Sequence, residues 1–128
     1  MLPIAIAFFI FSTTNVDVEI LKNIEAIQRY FPDSVELQNR MIATAKCESG
    51  IMQKENGKVI ENKVTKDYGI LQVNAHYHKE DAKKLGHDIN TLIGNLGYSR
   101  FLYDTRGFTP WSASKKCTEE VLSRLQAG

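Results

Sequence analysis

Residues 67–74 have the sequence DYGILQVN, and they decide the fold assignment because they place a carboxylate, a glycine and two amides directly after a predicted β-hairpin. Gly69 permits a tight backbone turn that lets a ligand come close. Gln72 and Asn74 can both donate and accept hydrogen bonds, as recognition of sugar hydroxyl and N-acetyl groups requires. From the residues alone, the pattern predicts a strand end that turns into a short helix, and ordinary turn chemistry is the alternative.

Upstream of this segment, Glu48 lies in the sequence Cys-Glu-Ser-Gly, nineteen residues before Asp67. At 100° per residue, Leu37, Met41, Ala45 and Glu48 form one stripe of a helix, so the carboxyl group should lie at the edge of its buried face. Partial burial and the negative end of the helix dipole should both raise the pKa of Glu48. A carboxylic acid that stays protonated can donate a proton to a leaving oxygen. The alternative is a solvated glutamate near a helix end.

The periodicity of apolar residues predicts helices on both sides of the hairpin. One covers residues 16–30. The next is expected to begin after Asp33 as N-cap, with Glu36 completing a capping box, and to end at about Ser49. An Asn-Gly pair within residues 52–68 marks the one expected patch of β structure.

Further helices are expected over residues 76–85, 88–105, 111–117 and 118–126. The helix over residues 76–85 ends before Gly86, and the helix over residues 88–105 is expected to have Asp88 as its N-cap. Its buried side chains should be Ile89, Leu92, Leu96, Phe101 and Leu102. The outline is an α+β fold that is mainly helical.

The totals bound the remaining possibilities. A chain of 128 residues forms one domain with a single core. The net charge of +1 is too balanced to indicate nucleic acid as the main partner. The two cysteines, Cys47 and Cys117, form one disulfide if the protein leaves the cytoplasm, and two buried free thiols are the alternative.

An apolar run covers residues 2–11 and is too short to span a bilayer. It matches the core of a secretory signal peptide, although no basic residue precedes it and no small-residue cleavage site follows it. We therefore expect residues 1–15 to be an apolar leader, either a signal peptide or an anchor, and residues 16–128 to be the catalytic domain. A buried strand or helix belonging to the fold is the alternative.

The two motifs together, in this order, resemble the lysozyme-like superfamily. The Glu-Ser-Gly triplet is most similar to the soluble lytic transglycosylase domain, and DYGILQVN is equally similar to the C-type lysozymes of animals. The resemblance covers roughly residues 33–117. It implies a lysozyme-like fold with a helical lobe, a small β-hairpin and a substrate cleft between them, which binds alternating N-acetylmuramic acid and N-acetylglucosamine.

The resemblance also implies roles for single residues. Glu48 matches the general acid of the family, and Asp67 matches the second carboxylate of C-type lysozymes, which typical lytic transglycosylases lack. We expect a peptidoglycan lytic transglycosylase, with a hydrolytic lysozyme using both carboxylates, or a non-catalytic glycan-binding module, as alternatives. The expected substrate-binding residues are Ser49, Tyr68, Gln72, Asn74, Tyr98 and Trp111. For Tyr98 and Trp111, core packing is the alternative.

By the same resemblance, a Cys47–Cys117 disulfide would join the helix that carries Glu48 to the C-terminal part of the chain. The protein is expected to be exported, to act as a monomer on peptidoglycan strands and to need no cofactor. No metal site is expected, because His76 and His78 point apart on a helix.

Overall fold

The computed structural model describes residues 15–127. The predicted leader over residues 1–15 therefore lies, except for Asn15, outside the described residues. Within them, the α-helices are α1 (Asn15–Tyr30), α2 (Val35–Ser49), α3 (Ala75–Lys84), α4 (Leu92–Arg106) and α5 (Lys115–Ala127), with a 3₁₀ helix over Thr109–Ser114. The short strands are β1 (Lys54–Glu55), β2 (Lys58–Val59), β3 (Glu61–Asn62), β4 (Asp67–Tyr68) and β5 (Val73–Asn74). The predicted α+β class, mainly helical, is confirmed.

The start of α2 differs from the prediction, because Ser34 and not Asp33 is its N-cap. The Ser34 backbone is extended, and its hydroxyl accepts a hydrogen bond of 3.0 Å from the backbone N–H of Leu37. The Asp33 carboxylate instead accepts a hydrogen bond of 3.0 Å from the guanidinium of Arg100, on α4. Glu36 is therefore not in the capping-box position. Ser34 and Asp33 are both suited to capping, and the hydrogen bond from Arg100, 67 residues away, engages Asp33 elsewhere.

Thr91 caps α4, so the prediction that Asp88 would do so was wrong. The Thr91 hydroxyl accepts a hydrogen bond of 3.0 Å from the backbone N–H of Gly94. Asp88 closes a turn of its own, in which its carboxylate accepts a hydrogen bond of 2.9 Å from the N–H of Asn90. This local bond uses the same side-chain oxygen chemistry as a cap, which is why the two are hard to distinguish in a sequence.

The C-terminal region also differs from the prediction of helices over 111–117 and 118–126. The chain forms a 3₁₀ helix that ends at Ser114 and then one continuous helix, α5. Pro110 lies in the first turn of the 3₁₀ helix, and the backbone of Trp111 departs from helical geometry, with φ −111° and ψ 23°. The break therefore lies before Lys115 and not after Cys117.

The β structure consists of a hairpin and a three-stranded antiparallel sheet. The Asn-Gly pair at residues 56–57 closes the hairpin between β1 and β2, as predicted, with Glu55 opposite Lys58. The sheet has the order β3–β4–β5 and pairs Asp67 with Asn74. Strand β5 extends the β structure beyond the predicted limit at residue 68.

One hydrophobic core contains the centre of the DYGILQVN segment. Ile70, Leu71 and Val73 are buried there together with apolar residues of α1, α2, α4 and the 3₁₀ helix, namely Ile24, Ile27, Phe31, Met41, Ile42, Leu96 and Trp111. Among the residues predicted to be buried on α4, Phe101 is an exception with 40% of its surface exposed. It lies on the solvent side of the helix.

A disulfide joins Cys47, on α2, to Cys117, on α5, with 6.0 Å between the Cα atoms. The bridge settles the choice between a disulfide and two free thiols. Helix α2 also packs extensively against α5. Among residues 15–127, no helix has the length and apolar character that crossing a membrane demands.

Candidate active site

Glu48 lies in the last turn of α2 and is half-buried. Burial raises the pKa of its carboxyl group, and the negative charge of Asp67 raises it further. A hydrogen bond from the Ser114 hydroxyl to Oε2 of Glu48 acts in the opposite direction on this pKa. The predicted position at the edge of a buried helix face is confirmed, since Met41 and Ala45 on the same stripe are fully buried.

The chain turns sharply after Glu48. Gly50 and Ile51 both have left-handed backbone conformations, with φ of 70° and 63°. A β-branched residue is strained in this conformation. Asn23 of α1 holds the turn, because its side-chain amide donates a hydrogen bond of 2.8 Å to the carbonyl of Ile51. The turn brings Gln53 back toward residues 69–71.

Asp67 is half-buried on β4, and both of its carboxylate oxygens accept hydrogen bonds from the chain. The Thr65 hydroxyl donates to Oδ2 at 2.7 Å, and the side-chain amide of Asn74 donates to Oδ1 at 3.0 Å. Asn74 faces Asp67 across the β4–β5 pair. The electrostatic effect on Glu48 shows that the structure brings the two predicted carboxyl groups into one region.

Two buried amide side chains clamp the turn between β4 and β5. Oε1 of Gln53 accepts a hydrogen bond of 2.9 Å from the N–H of Ile70. On α4, Asn95 donates to the carbonyl of Tyr68 at 2.8 Å and accepts from the N–H of Leu71 at 3.2 Å. Both amides are within 3% of complete burial. These bonds satisfy backbone groups that would be costly to bury without partners.

Gly69 is the residue that lets these two amides approach the turn. Its φ is +80°, and a Cβ atom at this position would lie 2.5 Å from Nδ2 of Asn95 and 2.6 Å from the Gln53 amide. Conformation and close approach therefore both require glycine. From the sequence, only the turn explains this glycine, because Gln53 and Asn95 are distant from it in the chain.

Ser49 joins the end of α2 to the same turn. Its hydroxyl donates a hydrogen bond of 2.7 Å to the carbonyl of Ile70 and accepts one of 3.1 Å from the N–H of Met52. The serine of the Glu-Ser-Gly triplet thus fixes Glu48 relative to the segment that carries Asp67. Its predicted contact with substrate remains a prediction.

The other polar residues expected to bind substrate also have partners within the chain. The Tyr68 hydroxyl donates to Glu61 at 2.8 Å, and the Gln72 side chain donates to the carbonyl of Gly69 at 2.9 Å. Asn74 caps α3 by accepting from the N–H of Tyr77 at 3.0 Å, besides its bond to Asp67. These contacts fix the side chains of Tyr68, Gln72 and Asn74 in place near Asp67. Sugar binding by these residues remains a prediction.

The two aromatic residues that were expected to bind substrate are buried. Tyr98 is 2% exposed, and its hydroxyl lies 3.0 Å from Nδ1 of His78. Trp111 is 5% exposed, and its indole N–H donates a hydrogen bond of 2.8 Å to the carbonyl of Leu71. Both side chains therefore pack in the core, which is the alternative that the sequence left open. Trp111 also stabilises the turn between β4 and β5 through its hydrogen bond to Leu71.

Three residues of the site did not emerge from the sequence as site residues: Ser114, Gln53 and Asn95. Ser114 lies three residues after Trp111 in the chain, but its contact with Glu48 spans 66 residues. Gln53 and Asn95 have no local pattern that separates them from surface amides. Only their burial in the folded chain identifies them.

No group of three histidine, cysteine, aspartate or glutamate side chains suited to a metal ion occurs among the described residues. In comparisons with known proteins, no protein-family model, curated protein or solved structure matches this chain.

Proposed function

We propose that this chain is a muramidase that cleaves the β-1,4 bond between N-acetylmuramic acid and N-acetylglucosamine, with Glu48 as general acid and base. One observation carries the proposal: Glu48 is half-buried, and both burial and the charge of Asp67 raise its pKa. A raised pKa keeps a carboxyl group protonated to higher pH than usual, which suits a group that must first donate a proton and then accept one. The resemblance of the two motifs supplies the substrate class.

In the proposed reaction, protonated Glu48 donates its proton to the glycosidic oxygen, and the bond from that oxygen to C1 of N-acetylmuramic acid breaks. The acetamido group of the same sugar stabilises the positive charge at C1. The ionised Glu48 then accepts the proton of the 6-hydroxyl group, whose oxygen forms a bond to C1. The product is a 1,6-anhydro end, as lytic transglycosylases make, and Glu48 is protonated again.

The contacts of Asp67 support this route over attack by Asp67 itself. Its two oxygens already accept hydrogen bonds from Thr65 and Asn74, which hold the carboxylate against its own strands and reduce its nucleophilicity. We infer that Asp67 acts on Glu48 through its charge.

A hydrolytic lysozyme is the second candidate, and the same electrostatic proximity favours it. A second carboxylate beside the general acid can stabilise the positive charge on the sugar while water attacks, as it does in lysozyme.

Digestion of purified peptidoglycan, followed by mass analysis of the released muropeptides, tests the proposal. We expect products one water lighter than hydrolysed ends. Glu48→Gln should reduce cleavage by 10²–10⁴-fold, because it removes the general acid. The matched control is Glu36→Gln, an exposed residue in the first turn of the same helix, which should keep full activity.

The outcomes separate the candidates. Hydrolysed ends together with a severe defect in Asp67→Asn would make the protein a lysozyme. Activity of Glu48→Gln within a few-fold of the unchanged protein would contradict the assignment of Glu48. Retained binding of chitin-type oligosaccharides without cleavage at any pH would identify a non-catalytic glycan-binding module.

We also propose that the protein is exported and acts as a monomer in the cell envelope or outside the cell. The Cys47–Cys117 disulfide supports this location, because disulfides persist in oxidising compartments and are rare in the cytosol.

A further inference from the structure

Ser114 is the one described side chain that donates a hydrogen bond to the proposed catalytic acid. It is half-buried at the end of the 3₁₀ helix, and its hydroxyl donates to Oε2 of Glu48. A covalent bridge lies beside this contact, since Cys47 precedes Glu48 and Cys117 follows Ser114 by three residues. The fold therefore holds the 3₁₀ helix and the end of α2 together at this point.

The direction of the hydrogen bond determines which oxygen of Glu48 can carry the proton. The Ser114 hydroxyl can donate only to an unprotonated oxygen, so while it donates to Oε2, a protonated Glu48 carries its proton on Oε1. When Glu48 is ionised, the same bond stabilises the negative charge, because hydrogen bonds to charged acceptors are stronger than neutral ones.

We propose that Ser114 is a positioning residue for Glu48, which reserves Oε1 for proton transfer to and from substrate and stabilises the ionised form needed in the second step. This inference rests on the proposed function for its role in catalysis. It goes beyond that function by assigning a residue and a single oxygen atom to the proton transfer.

The balance of influences on Glu48 fits this role. Burial and the charge of Asp67 favour the protonated form, and the Ser114 hydrogen bond opposes both. Asp67 is the charged group among the described residues that changes the pKa of Glu48. Without Ser114, Glu48 would give up its proton to the leaving oxygen less readily, because its ionised form would lose a stabilising hydrogen bond.

The test compares four substitutions in the full-length protein. Ser114→Ala removes the hydroxyl, and Ser114→Thr keeps it. Ser114→Val has the shape of threonine without the hydroxyl, so the Thr and Val variants form a matched pair if the alanine variant folds poorly. Ser112→Ala, at an exposed position of the same 3₁₀ helix, is the control.

Two measurements are made on each variant. Carbon-13 NMR follows the titration of the Glu48 carboxyl group, whose resonance is assigned by its loss in Glu48→Gln. The rate of peptidoglycan cleavage is measured against pH. We expect the Ala and Val variants to have a higher pKa at Glu48, and the Thr and Ser112→Ala variants to match the unchanged protein.

The pH profile should shift in the same direction. A general acid works below its pKa, so a higher pKa moves the alkaline limb of the profile to higher pH. At the optimum of the unchanged protein, we expect the Ala and Val variants to lose about tenfold in rate, because the reacting oxygen is less well positioned and proton donation to the leaving oxygen is weaker.

An unchanged Glu48 titration in the Ala and Val variants overturns the proposal, as does a Thr variant that behaves like Val. A shifted titration with an unshifted alkaline limb in an active protein also overturns it. If the unchanged protein does not cleave peptidoglycan, the proposed function and the catalytic role of Ser114 both fail. The NMR titration then still decides whether the hydroxyl controls Glu48.

Discussion

A half-buried carboxyl group at the C-terminal end of a helix is in an unfavourable place for a negative charge. At Glu48, the folded chain disfavours ionisation through burial and through Asp67, and one hydrogen bond from Ser114 partly offsets these effects. The pKa of Glu48 is therefore higher in the folded than in the unfolded state. A raised carboxyl pKa reduces stability wherever the unfolded chain would ionise this group, which is a cost that functional sites commonly carry.

Glu48→Gln should for this reason stabilise the protein at neutral pH. Below the ordinary carboxyl pKa of 4.5, Glu48 is protonated in both states and the destabilising effect is absent. As the pH rises through the raised pKa of the folded state, the effect becomes complete. We expect a gain on the order of 1 kcal/mol at pH 7, measured by urea unfolding, that fades as the pH falls to 4.

Glu36→Gln, exposed on the same helix, controls for the loss of one negative charge and should show little of this gain at pH 7. Equal gains for the two variants would mean that net charge, and not the environment of Glu48, sets the stability.

For single residues, the sequence predicted burial and role correctly where residues close in the chain determine them. Glu48 belongs to a regular helical stripe, and its half-buried position followed from that pattern. Ser34 and Asp33 are adjacent and equally suited to capping, and only the distant Arg100 decided their roles. Ser114 was missed for the same reason, since its contact with Glu48 is also long-range.

At the scale of elements, the turn between β4 and β5 is supported by side chains from several parts of the chain. The side-chain oxygens of Gln53 and Asn95 accept hydrogen bonds from its backbone N–H groups. The side chains of Ser49 and Trp111 donate hydrogen bonds to its carbonyl groups, at Ile70 and Leu71. These bonds fix the segment that carries Asp67 relative to the helix that carries Glu48.

Gly69→Ala should disrupt this turn. The substitution places a Cβ atom within 2.6 Å of both buried amides at a φ of +80°, so it adds a steric clash to backbone strain. Gly86→Ala is the matched control, because Gly86 has a φ of +84° with open space around it. We expect Gly86→Ala to cost about 1 kcal/mol in the free energy of unfolding, and Gly69→Ala at least about 2 kcal/mol more.

Thermal or urea unfolding of both variants measures the difference. Similar losses for the two glycines would show that the amides move aside easily, and that the clamp does not hold the turn rigidly.

The first three helices were predicted well, whereas the start of α4, the C-terminal helices and the smallest strands were not, for a physical reason. A helix repeats its apolar pattern over three or four turns, so α1, α2 and α3 were located to within about a residue. Strand β5 has two residues, too few for a period, and its existence depends on pairing with β4. The break after Ser114 depends on the local backbone of Trp111, which apolar periodicity does not report.

On the scale of the whole molecule, the candidate site is assembled from three separate parts of the chain. Helix α2 contributes Glu48, β4 contributes Asp67 and the 3₁₀ helix contributes Ser114. The sequence predicted the fold class, and the resemblance to the lysozyme-like superfamily predicted that Glu48 and Asp67 belong to one site. The third part depends on how α5 and the 3₁₀ helix pack against α2, which is a property of the complete fold. The substrate cleft remains a prediction.

The Cys47–Cys117 disulfide should be a main determinant of this assembly. It joins positions 70 residues apart, and closing a loop of that size in the unfolded chain stabilises the fold by about 4 kcal/mol in the chain-entropy model. For a domain of this size, the corresponding fall in the melting temperature on replacing both cysteines by alanine is roughly 15 °C. Differential scanning calorimetry of the oxidised protein and of the double variant measures it, and the double variant should not respond to a reducing agent. Because the bridge lies beside the Glu48–Ser114 contact, the double variant should also show a higher pKa at Glu48 while still folded, as the hydroxyl is held less firmly. A double variant that melts within about 3 °C of the oxidised protein, with thiols absent from both by alkylation and intact mass, would show that packing of α2 against α5 holds the assembly without the bridge.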